Sequence, residues 1–406
     1  MRYKLGEICE IVSGSTPKTS IPEYWDGDIK WITPAELNDD SYIINDSVRK
    51  ITELGVKKTG LSPFPVGTVL LSSRAPIGKV AIAGCEMYCN QGFKNLICSD
   101  KINNRYLFWF LKGNTKYLNS LGRGATFKEI SKQIVSSIEI NVPNVKEQED
   151  AVNVLEQVSD IIHSRKQELQ MLDDLIRARF VEMFGDPVDN PKGWRMKKLQ
   201  ELVSDDCTIS YGIVQTGDDQ EEGIPVFRPV DIVDHVPTRS ELKKTTEEIS
   251  NKYKRTLLKG REMLITVRAN IADTCIVGEE FVGCNVGRGI VPIRTNEDEM
   301  ILEFLKHQID SKHLNDNIKA LAKGITLIQL NMEDLREISL IVPPKEQQKA
   351  YVEFAKQTDK SKYQAEPNSR KYYIHRLRKQ YQELTDSLFL YFTKLFEVII
   401  FQKGIC

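Results

Sequence analysis

Two arginines stand at matching positions of the chain and have the chemistry to read DNA. Arg74 and Arg268 each follow an apolar, strand-like run and open similar short turns, 74–78 and 268–272. A guanidinium in such a turn can form two hydrogen bonds to guanine in the major groove, or it can bind a phosphate. An internal salt bridge or an ordinary surface position is the alternative interpretation.

A second recurring turn combines a basic side chain with glycine and threonine. Its two copies are Arg123-Gly124-Ala125-Thr126 and Lys323-Gly324-Ile325-Thr326. A cation, a hydroxyl and backbone N–H donors suit phosphate oxygens. The turn therefore predicts phosphate contacts by Arg123, Thr126, Lys323 and Thr326, and we include Lys128 just beyond the first copy.

The loop at residues 13–20 is rich in hydroxyl groups. It lacks the Gly-x-x-x-x-Gly-Lys-[Ser/Thr] pattern of a nucleotide-binding loop, so it is predicted to face DNA or solvent. The remaining DNA-binding candidates are Ser15, Thr16, Lys18, Thr33, Lys79, Gln91 and Lys94 in the first half of the chain, and Tyr211, Gln215, Arg228, Asn270 and Arg288 in the second.

Signatures of catalysis are missing from the sequence. No Asn-Pro-Pro-[Phe/Tyr] or Asp-Pro-Pro-Tyr methyltransferase motif occurs, and no Gly-x-Gly-x-x-Gly opens a helix after a strand. Asp231 with Glu241-Leu242-Lys243 can be forced onto a nuclease pattern, but an acid two residues before a lysine is common in so charged a chain. We therefore predict a protein without catalytic residues and without a cofactor.

The cysteines and histidines do not form a metal-binding pattern. No Cys-x-x-Cys pair occurs, and the closest two cysteines are Cys85 and Cys89, so we expect reduced thiols and no metal. No run of about 18 apolar residues and no signal-peptide pattern occurs, which predicts a cytoplasmic protein without membrane contact.

The elements that must position the candidate residues occur twice in the sequence. A length of 406 residues predicts two or three domains. Similar segments follow one another in the same order through both halves, at an offset that drifts from about 194 to 200, which indicates a duplication. The matches include 4–8 with 198–202, 29–37 with 224–232, Asn90 and Gly92 with Asn285 and Gly287, 138–143 with 338–343, and Lys146-Glu147-Gln148 with Lys345-Glu346-Gln347.

Each copy begins with a lobe of about 145 residues. Short apolar runs bounded by Gly, Pro and Asn indicate strands at 68–72, 79–83, 95–98 and 138–142. Residues 105–112 and 300–309 have apolar side chains at helical spacing. Each lobe is therefore predicted to be α+β.

A helical segment follows each lobe. Residues at heptad spacing are Leu155, Ile162, Leu169, Ile176 and Met183 and, after a break at Pro367, Ile374, Tyr381, Leu388 and Leu395. The first segment is net negative and the second net positive, which favours pairing of the two helices. The alternative is that each apolar stripe packs on its own lobe.

Two related lobes joined by an antiparallel helix pair would have an approximate two-fold axis, as dimeric DNA-binding proteins do. The lobes differ at matched positions such as Trp31 and Val226, so the predicted target is bipartite and asymmetric. Because the net charge is only −1, we expect a partner to supply part of the phosphate contact. A coiled-coil scaffold with two protein-binding lobes is the alternative.

Several segments resemble the specificity subunits of type I restriction-modification systems. They are Trp31-Ile32-Thr33-Pro34, the Gly124-Ala125-Thr126 turn, the Val142-Pro143 to Glu147-Gln148 junction, Met183-Phe184-Gly185-Asp186, and Asn190-Pro191-Lys192-Gly193-Trp194 leading to Lys198. The resemblance covers nearly the whole chain, and the order of the segments makes it specific.

This resemblance implies a non-catalytic DNA-binding subunit that serves defence against foreign DNA. Its target-recognition domains would be residues 1–143 and 187–343, and its helical spacers, 144–186 and 344–406, would pair as an antiparallel coiled coil with pseudo-two-fold symmetry. The implied partners are double-stranded DNA, two methyltransferase subunits and translocating restriction subunits. The sequence departs from the family pattern at Pro367, which breaks the second spacer, and in lacking a second Phe-Gly-Asp ending like that at 184–186.

Overall fold

The computed structural model describes residues 1–124, 128–232, 237–324 and 328–361. These residues form two compact units, taken here one at a time: the first is Met1–Ser164 and the second begins at Arg165. Strands and helices mix in both units, which confirms the α+β class. Pro367 and the predicted seam from Ile374 onward lie outside the described residues, so the coiled-coil pairing and the four domain bounds stay predictions.

The first unit contains three sheets. Its strands are β1 Arg2–Lys4, β2 Cys9–Val12, β3 Trp25–Ile32, β4 Ile43–Ile44, β5 Lys50–Ile51, β6 Val69–Leu71, β7 Val80–Ala83, β8 Tyr88–Cys89, β9 Asn95–Cys98 and β10 Glu139–Asn141. They are ordered β2-β9-β6-β7-β4, β5-β3-β8 and β1-β10. Its helices are α1 Leu5–Ile8, α2 Glu53–Thr59, α3 Asn104–Gly113, α4 Thr115–Ser120, α5 Lys132–Ser137 and the start of α6 Val145–Phe184.

The core of the first unit lies between the five-stranded sheet and α3. Strands β6 and β7 are buried at every residue, because both lie inside the sheet, which explains their continuous apolar runs. Helix α3 is capped by Asn103, whose Oδ1 accepts a 2.8 Å hydrogen bond from Arg105 N, and it buries Leu107 and Leu111. The strands predicted at 68–72, 79–83, 95–98 and 138–142 and the helix predicted at 105–112 are confirmed.

The second unit repeats this plan, with a three-stranded sheet in place of the five-stranded one. Its strands are β11 Met196–Lys198, β12 Ile224–Phe227, β13 Lys243–Thr245, β14 Glu262–Thr266, β15 Thr274–Val277, β16 Asn285–Val286, β17 Ile290–Ile293 and β18 Ser339–Ile341. They are ordered β13-β12-β16, β15-β14-β17 and β11-β18. Its helices are the end of α6, α7 Glu247–Asn251, α8 Leu302–Ile309, α9 Lys312–Ala320, α10 Met332–Arg336 and α11 at 345–361.

Strand pairing confirms the predicted duplication. In the first unit Tyr3 lies opposite Ile140 in an antiparallel pair, and in the second Lys197 lies opposite Leu340 in the same way. Parallel pairing between β3 and β8 likewise recurs between β12 and β16. The two copies therefore share a backbone plan as well as sequence segments.

Two of the sequence matches are wrong in register. Trp31 pairs with Tyr88, and its counterpart Val226 pairs with Asn285, so Asn285 corresponds to Tyr88 and not to Asn90. A small gap between the copies shifts this match by two residues, a shift that short polar segments cannot reveal.

The second register error concerns the glutamines after the lobes. Gln148 Oε1 accepts from Asn103 N at 2.8 Å, and Gln348 Oε1 accepts from Ile301 N at 3.0 Å. Both glutamines are buried, and each also donates to the carbonyl of the proline five residues earlier. The counterpart of Gln148 is therefore Gln348 and not Gln347, because only Gln348 makes these contacts.

Residues next to its ends cap helix α6 at the N-terminus and end it at the C-terminus. Glu147 N donates to Asn144 Oδ1 at 3.0 Å and Asn144 N donates to Glu147 Oε2 at 3.1 Å, which satisfies backbone donors in the first turn. After Phe184 the chain turns at Gly185, whose φ of +77° favours glycine.

The apolar stripe of α6 packs into globular cores at both ends. Leu155 lies in the core of the first unit, as the alternative of packing on its own lobe requires, whereas Ile176 lies in the core of the second unit. Within the second unit, the ring of Phe180 lies 5.4 Å from that of Tyr351 in α11. The end of α6 and the start of α11 therefore contact each other. Among the described residues no helix is both long and apolar enough to cross a membrane.

Candidate nucleic-acid interface

In the first unit, Arg74 lies on a short loop that closes on itself after β6. Ser72 N donates to Lys79 O at 2.9 Å, and Lys79 N donates to Ser72 Oγ at 2.8 Å. Gly78 has a φ of +91°, which glycine adopts without strain. The closed loop leaves the side chain of Arg74 exposed.

A second loop, which we call the first hairpin loop (residues 123–129), meets Arg74 at its base. Arg123 and Glu129 exchange two backbone hydrogen bonds of 3.0 and 2.9 Å. Arg74 Nε donates to Glu129 Oε2 at 2.9 Å. Arg74, Arg123 and Lys128 are therefore exposed in one region of the first unit. Thr126 lies outside the described residues.

Glu129 is held between two cations. Besides Arg74, it accepts from Lys94 Nζ at 3.1 Å, and the Lys94 side chain is only 10% exposed. Burial acts to raise the pKa of Glu129, but the hydrogen bonds from Lys94 and Arg74 outweigh burial and lower it. The carboxylate is therefore ionised at neutral pH, and Lys94 faces it from the inside of the unit.

Two tryptophans fix the hydroxyl-rich loop at 13–20. Trp31 Nε1 donates to Ser15 O at 3.0 Å, and Trp25 Nε1 donates to Lys18 O at 3.2 Å. Thr16 Oγ1 donates to Gln91 Oε1 at 2.5 Å, which joins this loop to the segment before Lys94. Thr16 and Gln91 are thus joined, and Ser15 and Lys18 lie on the same loop, whose contact with DNA stays a prediction.

Thr33 and Lys79 make contacts within the first unit. Thr33 N and Oγ1 both donate to Glu36 Oε1, at 2.7 and 3.0 Å. Lys79 Nζ donates to the carbonyls of Pro34, which begins the same 3₁₀ turn, and Leu37, which follows its last residue. Both side chains stabilise this turn, and their contact with DNA stays a prediction.

The second unit builds the same arrangement with different side chains. Lys323 and Gln329 exchange two backbone hydrogen bonds of 2.9 and 3.0 Å, which close the second hairpin loop (residues 323–329). Arg268 Nη2 donates to Gln329 Oε1. Burial, and then the positive charge of Arg288, lower the pKa of Arg268. Thr326 lies outside the described residues.

The other candidates of the second unit lie close to Arg268. Asn270 is exposed on the same loop, and its carbonyl accepts from Thr266 Oγ1. Tyr211 lies near enough to Arg268 to act on its pKa, and Gln215 is exposed a few residues further along that loop. Arg228 donates to Asp231 through Nε at 3.1 Å and Nη2 at 2.8 Å, in the place that Thr33 and Glu36 take in the first unit.

Sequence reasoning missed the residues that hold the arginines. Glu129 and Gln329 have no motif of their own, although their equal distance after the Gly-x-Thr turns marks them as a pair. It also missed Arg49, which is exposed and has its guanidinium 3.7 Å from the ring centre of Trp25. Such stacking orients a cation beside the loop at 13–20.

The cysteines of the described residues are free thiols, and burial raises the pKa of Cys89 and of Cys275 to about 12. Within the same residues one group, Asp186, Asp189 and His313, has metal-ligand atoms close together. Asp186 Oδ1 accepts from Val188 N and lies 3.2 Å from His313 Nδ1, so it already has partners. Exposed acidic groups of this kind are common without a metal.

Comparison with known proteins gives one consistent family. The model of the type I restriction modification DNA specificity domain matches residues 1–172 and 191–371. The type I restriction enzyme MjaIX specificity subunit of Methanocaldococcus jannaschii is 32% identical over 374 residues, which are 84% of this chain and 82% of that protein. The EcoBI specificity subunit of Escherichia coli is 23% identical over 272 residues, 61% of this chain and 57% of that protein.

Solved structures are similar in fold. The S subunit of a type I restriction-modification system from M. genitalium has a TM-score of 0.53 at 13% identity, covering 98% of this chain and 95% of that one. A chain from a structure on complex assembly and conformational transition of the type I R-M system has a TM-score of 0.52 at 19% identity, with 98% and 97% covered. At these identities the likeness concerns the fold alone.

Proposed function

Because this chain belongs to the family of type I restriction-modification DNA specificity subunits, we propose that it binds a bipartite, asymmetric DNA target and directs methyltransferase and restriction subunits to it. The chain itself is the non-catalytic member of such a system. DNA binding would rest on two reading sites, one in each unit. Since its ligand is the DNA of the cell, we place the complex in the cytoplasm.

One observation carries the proposal. In each unit an arginine that follows a buried strand is hydrogen-bonded to the base of a basic hairpin loop, Arg74 to Glu129 and Arg268 to Gln329. A guanidinium held at a known position can read guanine, while the cations of the loop, Arg123 and Lys323, can bind phosphate. An arginine kept only for folding would not need an exposed basic loop beside it in both copies.

Differences between the two sites support an asymmetric target. The turn that carries Thr33 and Glu36 in the first unit carries Arg228 and Asp231 in the second. Tyr88 and Asn285 likewise occupy one position of the two sheets. Two sites with the same backbone and different side chains would present different hydrogen-bond patterns to base edges.

The charge of the chain supports the need for partners. With a net charge of −1, the chain has no excess of positive charge to neutralise phosphates, so tight binding requires further contacts from another subunit. We assign this role to two methyltransferase subunits, which restriction subunits would then join.

Replacing each arginine in turn tests the proposal. In the chain assembled with the methyltransferase of its own system, Arg74→Ala should weaken recognition of one half of the target by about 1–3 kcal/mol, and Arg268→Ala should do so for the other half. Methylation profiling of host DNA gives the target, and binding to duplexes altered in one half at a time gives the effect. Lys58→Ala, at an exposed lysine of α2, is the control and should change neither half.

Equal loss at both halves for each variant would contradict the proposal, since it would indicate a general defect. If the assembled chain bound no DNA at all but still held a protein partner, the alternative of a scaffold with two protein-binding lobes would replace it. The bipartite target has a separate test: one added helical turn in α6 should change the preferred gap between the half-sites.

A further inference from the structure

The residue at the base of the hairpin loop differs in charge between the two units. Glu129 and Gln329 occupy one position, because each exchanges two backbone hydrogen bonds with the loop's cation and each accepts from the reading arginine. The first is an ionised carboxylate and the second a neutral amide. A hydrogen bond with an ionised donor or acceptor is roughly twice as strong as one between neutral groups, and in the first unit both partners are ionised.

A second difference accompanies the first. Phe93 bridges Ser72 in the first unit and Ile290 pairs with Thr266 in the second, so the next residues, Lys94 and Val291, correspond. The side chains of both are buried. At these two positions the first unit has a buried lysine paired with a glutamate, and the second has a valine and a glutamine.

This exchange removes a positive and a negative charge together. Lys94 and Glu129 form an ion pair of 3.1 Å, whereas Val291 and Gln329 are neutral. The net charge around the reading arginine is therefore the same in either arrangement. What changes is how firmly the arginine is held.

The two arginines also form these hydrogen bonds through different atoms. Arg74 bonds to Glu129 through Nε, and its two terminal nitrogens make no hydrogen bond to any residue in the described part of the chain. Arg268 uses a terminal nitrogen, Nη2, for Gln329. Pairing with guanine through the end of the guanidinium needs both terminal nitrogens, so Arg74 is ready for it, and Arg268 must share or release its bond.

We propose that Glu129 and Gln329 are positioning residues that set how strictly each reading arginine discriminates between bases. Glu129, which is fixed by its ion pair with Lys94, holds Arg74 in one orientation and makes base discrimination at the first half-site strict. Gln329, a neutral amide that also donates to Asn331 Oδ1 at 3.4 Å, holds Arg268 through one uncharged oxygen and makes the second half-site more tolerant. This inference rests on the proposed function and adds which residues set its stringency.

Exchanging the pairs between units tests the inference without changing net charge. The double variant Lys94→Val with Glu129→Gln gives the first unit the neutral pair, and Val291→Lys with Gln329→Glu gives the second unit the charged pair. Each is assembled with the methyltransferase of the system and tested on duplexes carrying each of the four bases, one position at a time.

The first double variant should relax preference at one position of the first half-site by about five- to 150-fold, the range of one arginine contact with two hydrogen bonds. Preference in the second half-site, and the salt dependence of binding, should stay unchanged because the net charge is unchanged and the cations of the hairpin loop remain. The second double variant should sharpen preference at one position of the second half-site only.

Loss of affinity that is equal for all sequences, or no change in base preference, would overturn the inference. Thermal unfolding shows whether either variant fails to fold; if the first does, the second decides, because it is built in the other unit. An unaltered chain that bound DNA without sequence preference would instead count against the proposed function, so the two failures can be told apart.

Discussion

Each unit attaches its lobe to the following helix by an ion pair, but with opposite polarity. In the first unit Arg105 of α3 pairs with Glu156 of α6 at 3.4 Å, and in the second Glu303 of α8 pairs with Lys356 of α11 at 2.7 Å. These are equivalent positions, because the buried glutamines Gln148 and Gln348 bond to the starts of α3 and α8 in the same way. The contact is kept while its charges are reversed.

The comparison shows which properties the duplication keeps. Backbone hydrogen bonds, strand register and the buried glutamines recur, and the side chains that differ do so in compensating sets. Lys94 with Glu129 becomes Val291 with Gln329, and the ion pair of the helix changes sign. Substitution of one member alone would leave a buried or like-charged group without compensation, which is costly.

A buried aromatic cluster anchors the end of α6 in the second unit, and Phe184→Ala should show the largest effect. Phe184 is fully buried in the second unit, with its ring 4.9 Å from that of Phe304 and 5.6 Å from that of Tyr351. Because truncating a buried phenylalanine leaves a cavity, we expect a loss of about 3–5 kcal/mol in the free energy of unfolding. Denaturant unfolding of the whole chain, with hydrogen exchange to locate the loss, is the measurement.

Met171→Ala is the matched control on the same helix, since Met171 is exposed and should change stability by less than about 0.5 kcal/mol. Protection from exchange should fall in the second unit and stay unchanged in the lobe of the first. Equal loss in both would mean that the two units do not unfold separately.

Much of this arrangement could be predicted because its signals are local. The runs at β6, β7 and β9 and the Arg74 and Arg268 turns repeat in order, so the fold class, the duplication and the two candidate arginines could be inferred from the sequence. The partners of those arginines were not. Arg74 and Glu129 are 55 residues apart, and no local pattern states which acid meets which base.

Register was the other property that sequence could not supply. Tyr88 and Asn285 occupy equivalent positions in the two sheets although their side chains differ in type. Asn90 and Asn285 are identical residues, which favours the wrong match when only the sequence is compared. Similarly, Gln347 and Gln348 are adjacent, and only the bond from Ile301 N shows that Gln348 is the buried one. Near small gaps, the correct alignment of polar residues can be chosen only from the hydrogen bonds that they make in the structure.

Reversing the ion pair of the first unit should have a smaller effect and sharpen the comparison. Arg105→Glu alone places two acids together and should destabilise the first unit by up to about 1 kcal/mol, because the pair is partly exposed. Adding Glu156→Lys copies the polarity of the second unit. The pair should then regain most of the loss in a double-mutant cycle of unfolding free energies.

Glu156 has a second role that limits this rescue, since it also accepts from the hydroxyl of Tyr42. The cycle should therefore be repeated in Tyr42→Phe, where rescue is expected to be more complete. If the double variant were no more stable than Arg105→Glu alone, the polarity of the pair would have no part in attaching the helix.

The smallest effect concerns the pH dependence of the second unit. Burial acts to raise the pKa of Glu303, but Lys356 and Arg261 outweigh it and lower the pKa below its usual range. The pair therefore contributes stability above the pKa that Glu303 has in the unfolded chain, and this contribution is lost as the pH falls through the folded value. Glu303→Gln should lower stability at neutral pH by less than about 1 kcal/mol and flatten the acid side of the stability profile. The parent and the variant should then converge at low pH, since a protonated Glu303 resembles glutamine; curves that stay parallel down to acid pH would show that the loss comes from packing and not from charge.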